Sequence, residues 1–241
     1  MRVYAVGDIH GRHDLLQDII ERIDRDLADR KPERAVVVFL GDLIDRGPNS
    51  REVIEELAGF CRDGVRPVFL MGNHEEILLR ILTGERKLVD GWLKYGGTEF
   101  LASYGLAADS LRAMSGRATI KAIRDAIPRS HVEFLESFAD TLSVGDYLFV
   151  HAGIRPGVDL SLQLQSDLRW IRQSFLDCEA DYGRVVVHGH TIEENVVERS
   201  NRIGIDTGAY RTGVLTSIVL EDDDRRFLST GSSAAIRRSI D

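Results

Sequence analysis

Cysteine is nearly absent: Cys61 and Cys178 are the only two in 241 residues. They share no CxxC spacing, which argues against a disulfide framework and reads as two buried thiols in a reducing compartment. Long apolar runs are missing as well. The longest, "AVVVFL" at residues 35–40, is far too short to span a bilayer. The N-terminal "MRVYAVGDIHG" lacks the basic-then-apolar layout of a signal peptide. A cytoplasmic protein without membrane contact is expected. Positive charge is in deficit, with 31 Lys and Arg against 39 Asp and Glu, a net charge of −8. That balance argues against general nucleic-acid binding, which relies on basic surface. It leaves phosphorylated substrates open, because a local metal site can outweigh the global charge. Proline is sparse, at 5 residues, and the 43% hydrophobic fraction suffices for a sizeable core without staples.

Within this ordinary composition a pattern repeats. Residues 3–6 read as a strand that ends in Gly7-Asp8. Asp14 reads as the N-cap of a helix, with Gln17 three residues on as in a capping box. Leu15, Ile19, Ile23 and Leu27 follow as one apolar stripe, and Lys31-Pro32 ends the helix. "AVVVFL" is a second strand ending in Gly41-Asp42, followed by a helix that Ser50 can cap. "PVFLM" is a third, ending in Gly72-Asn73. Apolar strands in strand–loop–helix succession predict an α/β layered fold, with ligands gathered where strands end.

Residues 85–140 differ. They carry no strand signal, several short helical patterns and breaks at Gly96-Gly97, Gly105 and Gly116, which together predict a helical insertion beside the site. Strands resume at "DYLFVHAG", a helix is expected over about 162–176, and "RVVVHGH" with further strand-like runs to Val219 suggests a second sheet. Residues 1–229 are expected to form one domain, with 230–241 a frayed tail.

The strand ends carry the chemistry. They read Asp8-Ile9-His10-Gly11, Gly41-Asp42-Leu43-Ile44-Asp45-Arg46-Gly47, Gly72-Asn73-His74-Glu75, His151-Ala152-Gly153 and His188-Gly189-His190-Thr191. Five of the seven histidines lie in these clusters. "VFLMGNHEE", residues 68–76, has a plain explanation on its own: a turn leading into a helix, since Asn caps helices and Glu suits a first turn. Five strand ends bearing oxygen or imidazole ligands are hard to explain as turns. Such ligands without thiolate suit Mn²⁺, Fe²⁺ or Zn²⁺, and neighbouring glycines allow close backbone approach. A two-metal site needs a bridging carboxylate, for which Asp42 at the middle strand end is the candidate.

In this order, "GDIHG", "GDLIDRG", "GNHE", "HAG" and "GHT" resemble the metallophosphatases of the phosphoprotein phosphatase family, of the bacterial serine/threonine type. The resemblance runs over residues 3–208. It implies the calcineurin-like phosphoesterase fold, two mixed β-sheets packed face to face and flanked by helices. It also implies that Asp8 and His10 bind one metal and Asn73, His151 and His190 the other, with Asp42 between. By the same resemblance a metal-bridging water attacks phosphorus directly. His74 is then the general acid, and Asp45 holds it in the required tautomer. Arg46 is expected to clamp phosphate oxygens. Alignment on Trp170 favours Arg172 as a second clamp, with Arg169 the alternative. Two divalent ions are implied, Mn²⁺ first, with Fe²⁺ or Zn²⁺ able to replace it.

Several residues read more plainly. His188 faces the same way as His190, two residues on, yet the motif places the ligand directly before Thr191, so His188 is expected in the core or behind the ligands. His13 and His131 are expected at the surface, Thr98 as an N-cap, and "EDDDRR" as a solvated turn between strands. The family divides into protein phosphatases and symmetrical diadenosine tetraphosphate hydrolases. The resemblance to the former rests on Asp45, Glu75 and Thr191, where the dinucleotide enzymes tend to carry Ala, Asp and Trp. "IDTGAYRTGVLTSIVL" resembles both branches. The expected activity is therefore hydrolysis of phosphoserine and phosphothreonine in proteins, with the dinucleotide as the alternative. A non-catalytic phosphate-binding module would have lost a ligand or the proton donor, and none is missing.

Overall fold

The computed structural model describes residues 1–112, 114–231 and 238–240. The first half alternates as its apolar pattern requires: β1 (Arg2–Val6), α1 (His13–Arg30), β2 (Ala35–Phe39), α2 (Ser50–Ala58), β3 (Val65–Phe69) and α3 (Asn73–Thr83). A run of short helices follows, α4 (Val89–Trp92), α5 (Thr98–Ser103), α6 (Ala108–Arg112), α7 (Gly116–Ala126) and α8 (Arg129–Glu136). Then come β4 (Thr141–Val144), β5 (Tyr147–Val150), α9 (Gln165–Trp170), α10 (Gln173–Leu176), β6 (Val185–His188), β7 (Val196–Glu198) and β8 (Arg202–Gly204). The chain continues through α11 (Ala209–Thr212), β9 (Thr216–Glu221), β10 (Asp224–Ser229) and β11 (Arg238–Ile240).

Two mixed sheets result, one in the order β10-β9-β1-β2-β3 and the other β11-β7-β8-β6-β5-β4. Side-chain alternation along β1 sorts the layers. Tyr4 and Val6 join the core under α1, α2, α3 and the helical insertion, whereas Val3 and Ala5 join the layer between the sheets. Phe149, Val187 and Ile203 meet Val3 and Ala5 there from the second sheet. A third cluster, with Phe175 and Leu168, covers that sheet's outer face. Each fully buried Ile or Phe is worth about 1.5–3 kcal/mol, so the middle layer holds the two sheets in fixed register. Pro67 fits β3 because that strand is an edge and needs no second ladder donor.

Strands β1, β2 and β3 run parallel, and so do β5, β6 and β8. Their C-terminal ends carry Asp8, Asp42 and Asn73 from one sheet, and His151, His190 and Asp206 from the other. Both sheets therefore deliver their loops to one site.

Several local expectations are corrected. Asp14 lies inside α1, where Arg12 binds its carboxylate (Nε to Oδ1, 2.8 Å), and Arg12 is the capping position. Leu16, Ile19, Ile20 and Ile23 are the buried face, so the stripe is turned from the one built on Leu15 and Leu27. Ser50 begins α2 rather than capping it, because its hydroxyl accepts the Asp45 N–H at 3.0 Å. Thr98 likewise begins α5, with its hydroxyl donating to the Leu93 carbonyl. The helix expected over 162–176 is broken into α9 and α10 by Arg172, whose backbone is non-helical. Strand β9 returns to the first sheet, antiparallel to β1, rather than extending the second. His131 is buried against the Tyr104 hydroxyl, 2.8 Å from its Nδ1. Cys61 is exposed and Cys178 half-buried, so neither is a core thiol. Of the expected tail, residues 232–237 and 241 lie outside the described residues, while β11 pairs with β7. No described helix is long and apolar enough to cross a membrane.

Candidate metal centre

Seven non-glycine residues among those described have positive φ, and five of them belong to the predicted site: His10 (47°), Asp42 (48°), Asp45 (70°), Arg46 (66°) and His190 (63°). Such backbone costs of order 1–3 kcal/mol per residue and persists where surrounding contacts over-determine it. Here backbone hydrogen bonds do so. The Ile9 and His10 N–H groups both donate to the Asp42 carbonyl, at 3.1 and 2.9 Å, and the Gly47 N–H donates to the His10 carbonyl. The loops touch so closely that a Cβ on Gly47 would lie 2.2 Å from the His10 carbonyl oxygen. One on Gly72 would lie 2.3 Å from the Asp42 nitrogen.

Glu75, fully buried, knots the same loops together. One oxygen accepts the Leu43 and Ile44 N–H groups, at 2.8 and 3.3 Å, and the other accepts those of Asp42 and Gly72, at 2.9 and 3.1 Å. Sequence reasoning used Glu75 only to separate branches of a family. Its partners are main-chain groups, which leave no side-chain signature.

Asp42 stands at the centre. Its Oδ1 lies 3.4 Å from His151 Nε2 and its Oδ2 lies 3.6 Å from His10 Nε2. His10 and His151 each direct Nδ1 to a backbone carbonyl, Ile44 at 2.9 Å and Leu40 at 2.8 Å. That bond places the ring proton on Nδ1 and leaves the Nε2 lone pair facing Asp42. The Asn73 amide oxygen lies 3.1 Å from His151 Nε2. Asp8 accepts the His190 backbone N–H, at 3.0 Å to Oδ2, and so ties β1 to the loop after β6. The His190 Nε2 is buried with no hydrogen-bond partner.

An orphaned imidazole nitrogen, two lone pairs aimed at one carboxylate, and an all-oxygen-and-nitrogen donor set fit divalent cations. Donor atoms, one each from Asp42, His151 and His190, lie within 4.8 Å of one another, as do one each from His10, Asp42 and His74. His74 nevertheless differs from the others. Its Nδ1 is engaged by Asp45 Oδ2 at 2.6 Å, and its Nε2 lies 3.3 Å from the Arg46 guanidinium, a poor neighbour for a cation ligand.

Charge follows geometry. Burial opposes ionisation of Asp42, yet the facing imidazoles of His151 and His74 hold it well below the usual carboxylate range. Burial, with the charges of Asp206 and Asp42, pushes Asp8 well above it. Burial and His74 keep His10 neutral, and burial and His151 push His190 down to about 2. Neutral imidazole is the form that binds metal. His151 and His74 go the other way: against burial, Asp42 raises His151, and Asp42 with Asp45 pushes His74 up to about 9. The Trp92 indole N–H donates to both Asp45 oxygens, at 3.2 and 3.0 Å, and fixes the carboxylate that fixes His74.

Arg46 lies with its guanidinium 4.6 Å from the centroid of the Tyr210 ring, and its backbone N–H donates to the Gly96 carbonyl of the insertion. Arg172 lines the same cavity as Arg46, Asn73 and His74, and its Nη1 lies 3.4 Å from the Thr191 hydroxyl. Arg169 is turned away, held by Asp140 at 2.9 Å and Glu76 at 3.4 Å. His188 packs on Phe175 and faces Arg202, buried under the outer face of the second sheet. The cavity, about 390 Å³, is walled further by Ile77, Leu88, Trp92, Tyr95 and Trp170.

Comparison with known proteins agrees with this geometry. The family model described as "Calcineurin-like phosphoesterase" matches residues 1–200. A bis(5'-nucleosyl)-tetraphosphatase, PrpE, described as asymmetrical, from Bacillus subtilis (strain 168) is 30% identical over 88% of this chain and 87% of its own length. Serine/threonine-protein phosphatase 2 of Escherichia coli (strain K12) is 28% identical over 89% of this chain and 90% of its own length. Among solved structures, a cold-active protein-tyrosine phosphatase from a Shewanella species superposes with a TM-score of 0.57 at 20% identity, covering 94% of this chain and 80% of that one.

Proposed function

The chain belongs to the calcineurin-like phosphoesterase family, and from that premise we propose that it hydrolyses phosphoserine and phosphothreonine in proteins with two divalent cations. Asp8 and His10 would hold one ion and Asn73, His151 and His190 the other, with Asp42 shared. Bound there, the ions supply Lewis-acid charge opposite the phosphoryl group and lower the pKa of water. Mn²⁺ suits the donor set, as do Fe²⁺ and Zn²⁺.

The observation that carries the reading is the Asp45–His74 pair, 2.6 Å apart and beside the open cavity. A seryl or threonyl alkoxide is a poor leaving group and needs a proton as it departs. His74 holds that proton on the nitrogen next to Arg46, while Asp45 fixes the ring from behind and Trp92 fixes Asp45. Divalent ions, once bound, would oppose the carboxylates that raise the His74 pKa and so would favour release of that proton. Arg46, braced by Tyr210 and by the insertion, binds phosphate oxygens, and Arg172, which lines the same cavity, is the second clamp.

A second reading, hydrolysis of a bis(5'-nucleosyl) tetraphosphate, has one specific observation in its favour. The cavity beside His74 is walled by Trp92, Tyr95 and Trp170 and also by Lys87 and Arg172, a lining that suits a base and additional phosphates.

The test is phosphate release with Mn²⁺, comparing kcat/KM for phosphoserine, phosphothreonine and phosphotyrosine peptides with that for diadenosine tetraphosphate. Preference for the phosphoserine and phosphothreonine peptides is expected. Preference for the dinucleotide overturns the first reading in favour of the second. Absence of turnover with metal shown bound overturns both and leaves a phosphate-binding module.

A further inference from the structure

Asp206 follows β8, which runs parallel to β6, so it reaches the same sheet end as His190. The approach is tight: a Cβ on Gly7, the residue before Asp8, would lie 2.7 Å from the Ile205 carbonyl oxygen. Only a glycine lets the two chains pass that closely. Asp206 is 3% exposed. One of its carboxylate oxygens accepts the Gly208 N–H at 2.9 Å, whereas Oδ2 is buried without a hydrogen-bond partner. The carboxylate is near enough to Asp8, Asp42, His151 and Arg46 for their charges to act on one another.

A local structural role explains only half of this. Turning the chain into Gly208, whose φ is +68°, takes one side-chain oxygen, and asparagine would supply it without charge. A second oxygen, buried and unpartnered beside two other carboxylates, destabilises the metal-free protein. It becomes favourable when positive charge enters the cluster. We propose that Asp206 is a further carboxylate of the metal centre, which adds negative charge on the Asp8 side and positions a cation bound there. The proposal rests on the dimetal reading of the site, but not on which phosphate ester is cleaved.

The variant that separates the two roles is Asp206→Asn, which keeps the oxygen that Gly208 needs and removes the charge. Purified full-length protein, stripped by chelator, is titrated with Mn²⁺ in a calorimeter and melted with and without the ion. Loss of Mn²⁺ affinity by about 10–100-fold is expected, the usual worth of a residue that supports metal ligands. The stripped variant is expected to melt no lower than the stripped wild type, because a like-charge contact has been removed. Unchanged affinity overturns the proposal while leaving the dimetal reading intact. An equal fall in melting temperature with and without Mn²⁺, at unchanged affinity, likewise reduces Asp206 to a turn residue. Wild type that takes up no Mn²⁺, Fe²⁺ or Zn²⁺ overturns both readings. Should Asp206→Asn fail to fold, Asp206→Ser, which can also accept the Gly208 N–H, carries the same comparison.

Discussion

His74 shows what a single residue can be asked to do. In His74→Asn the proposed proton donor is gone, while the six proposed ligands keep their contacts. The expected loss in kcat is ~10²–10⁴-fold, the typical contribution of a general acid. It should be greatest on phosphoserine peptide and smaller on aryl phosphates, whose leaving groups need less help. Unchanged kcat on phosphoserine peptide removes His74 from that role. The same variant reports on stability in chelated protein. The folded-state pKa of about 9 exceeds the ordinary 6.5, so folded His74 binds its proton more tightly than unfolded His74 does. Its contribution is full below pH 6.5 and is lost as pH rises through about 9, and it amounts to at most roughly 3–4 kcal/mol. The urea-unfolding gap between wild type and variant should therefore close on going from pH 6 to pH 10; a constant gap rejects the ion pair. His74 was legible because it stands in "GNHE", one of the five motifs that carry the family resemblance. Asp206 was not, since its signal is an unpartnered oxygen, which exists only once β8 lies beside β6.

Elements were legible where hydrophobic period decided them and misread where side chains found stronger partners. The three strand–helix units and the strandless stretch at 85–140 follow from periodicity alone. Asp14 and Ser50 look like caps because their residue types favour it, but Arg12 and the Asp45 backbone claimed them first. The insertion contributes to the site through its backbone: the Gly96 carbonyl receives the Arg46 N–H, and no sequence pattern encodes such a contact. Glu75 is the clearest case of loops held by one element, since it leads from α3 into four backbone donors of two loops. Glu75→Gln turns one acceptor oxygen into an amide donor facing buried N–H groups. Roughly 2–4 kcal/mol of stability should be lost, from two donors left unsatisfied, with weaker Mn²⁺ uptake as Asp42 shifts. Urea unfolding and metal titration measure both; a variant as stable as wild type rejects the knot.

At the scale of the whole molecule, two sheets bring six strand ends to one edge, and the insertion adds a wall that neither sheet supplies. The sequence foretold the layers but not the partner of β9, because an antiparallel return to β1 across some 200 residues leaves the same alternation as an extension of the second sheet. What the cavity presents beside it is aromatic: Tyr95 of the insertion is 63% exposed and Trp170 at the end of α9 is 41% exposed, both lining the cavity that holds His74 and Arg172. Large exposed aromatics beside a reactive centre favour a ligand that covers them. Trp170 also donates to Glu76 at 3.0 Å, so its removal disturbs neighbouring contacts, whereas Tyr95→Ala is the cleaner change. If the wall docks the peptide around the phosphoresidue, Tyr95→Ala should raise KM for phosphopeptides about 5–30-fold, the worth of a stacked or apolar contact of 1–2 kcal/mol. Free phosphoserine, which reaches only the metal centre and Arg46, should keep its kcat/KM. Equal losses on both substrates would mean that Tyr95 shapes the centre itself. A loss confined to diadenosine tetraphosphate would mean that the wall stacks a base, and would favour the dinucleotide reading over the protein substrate.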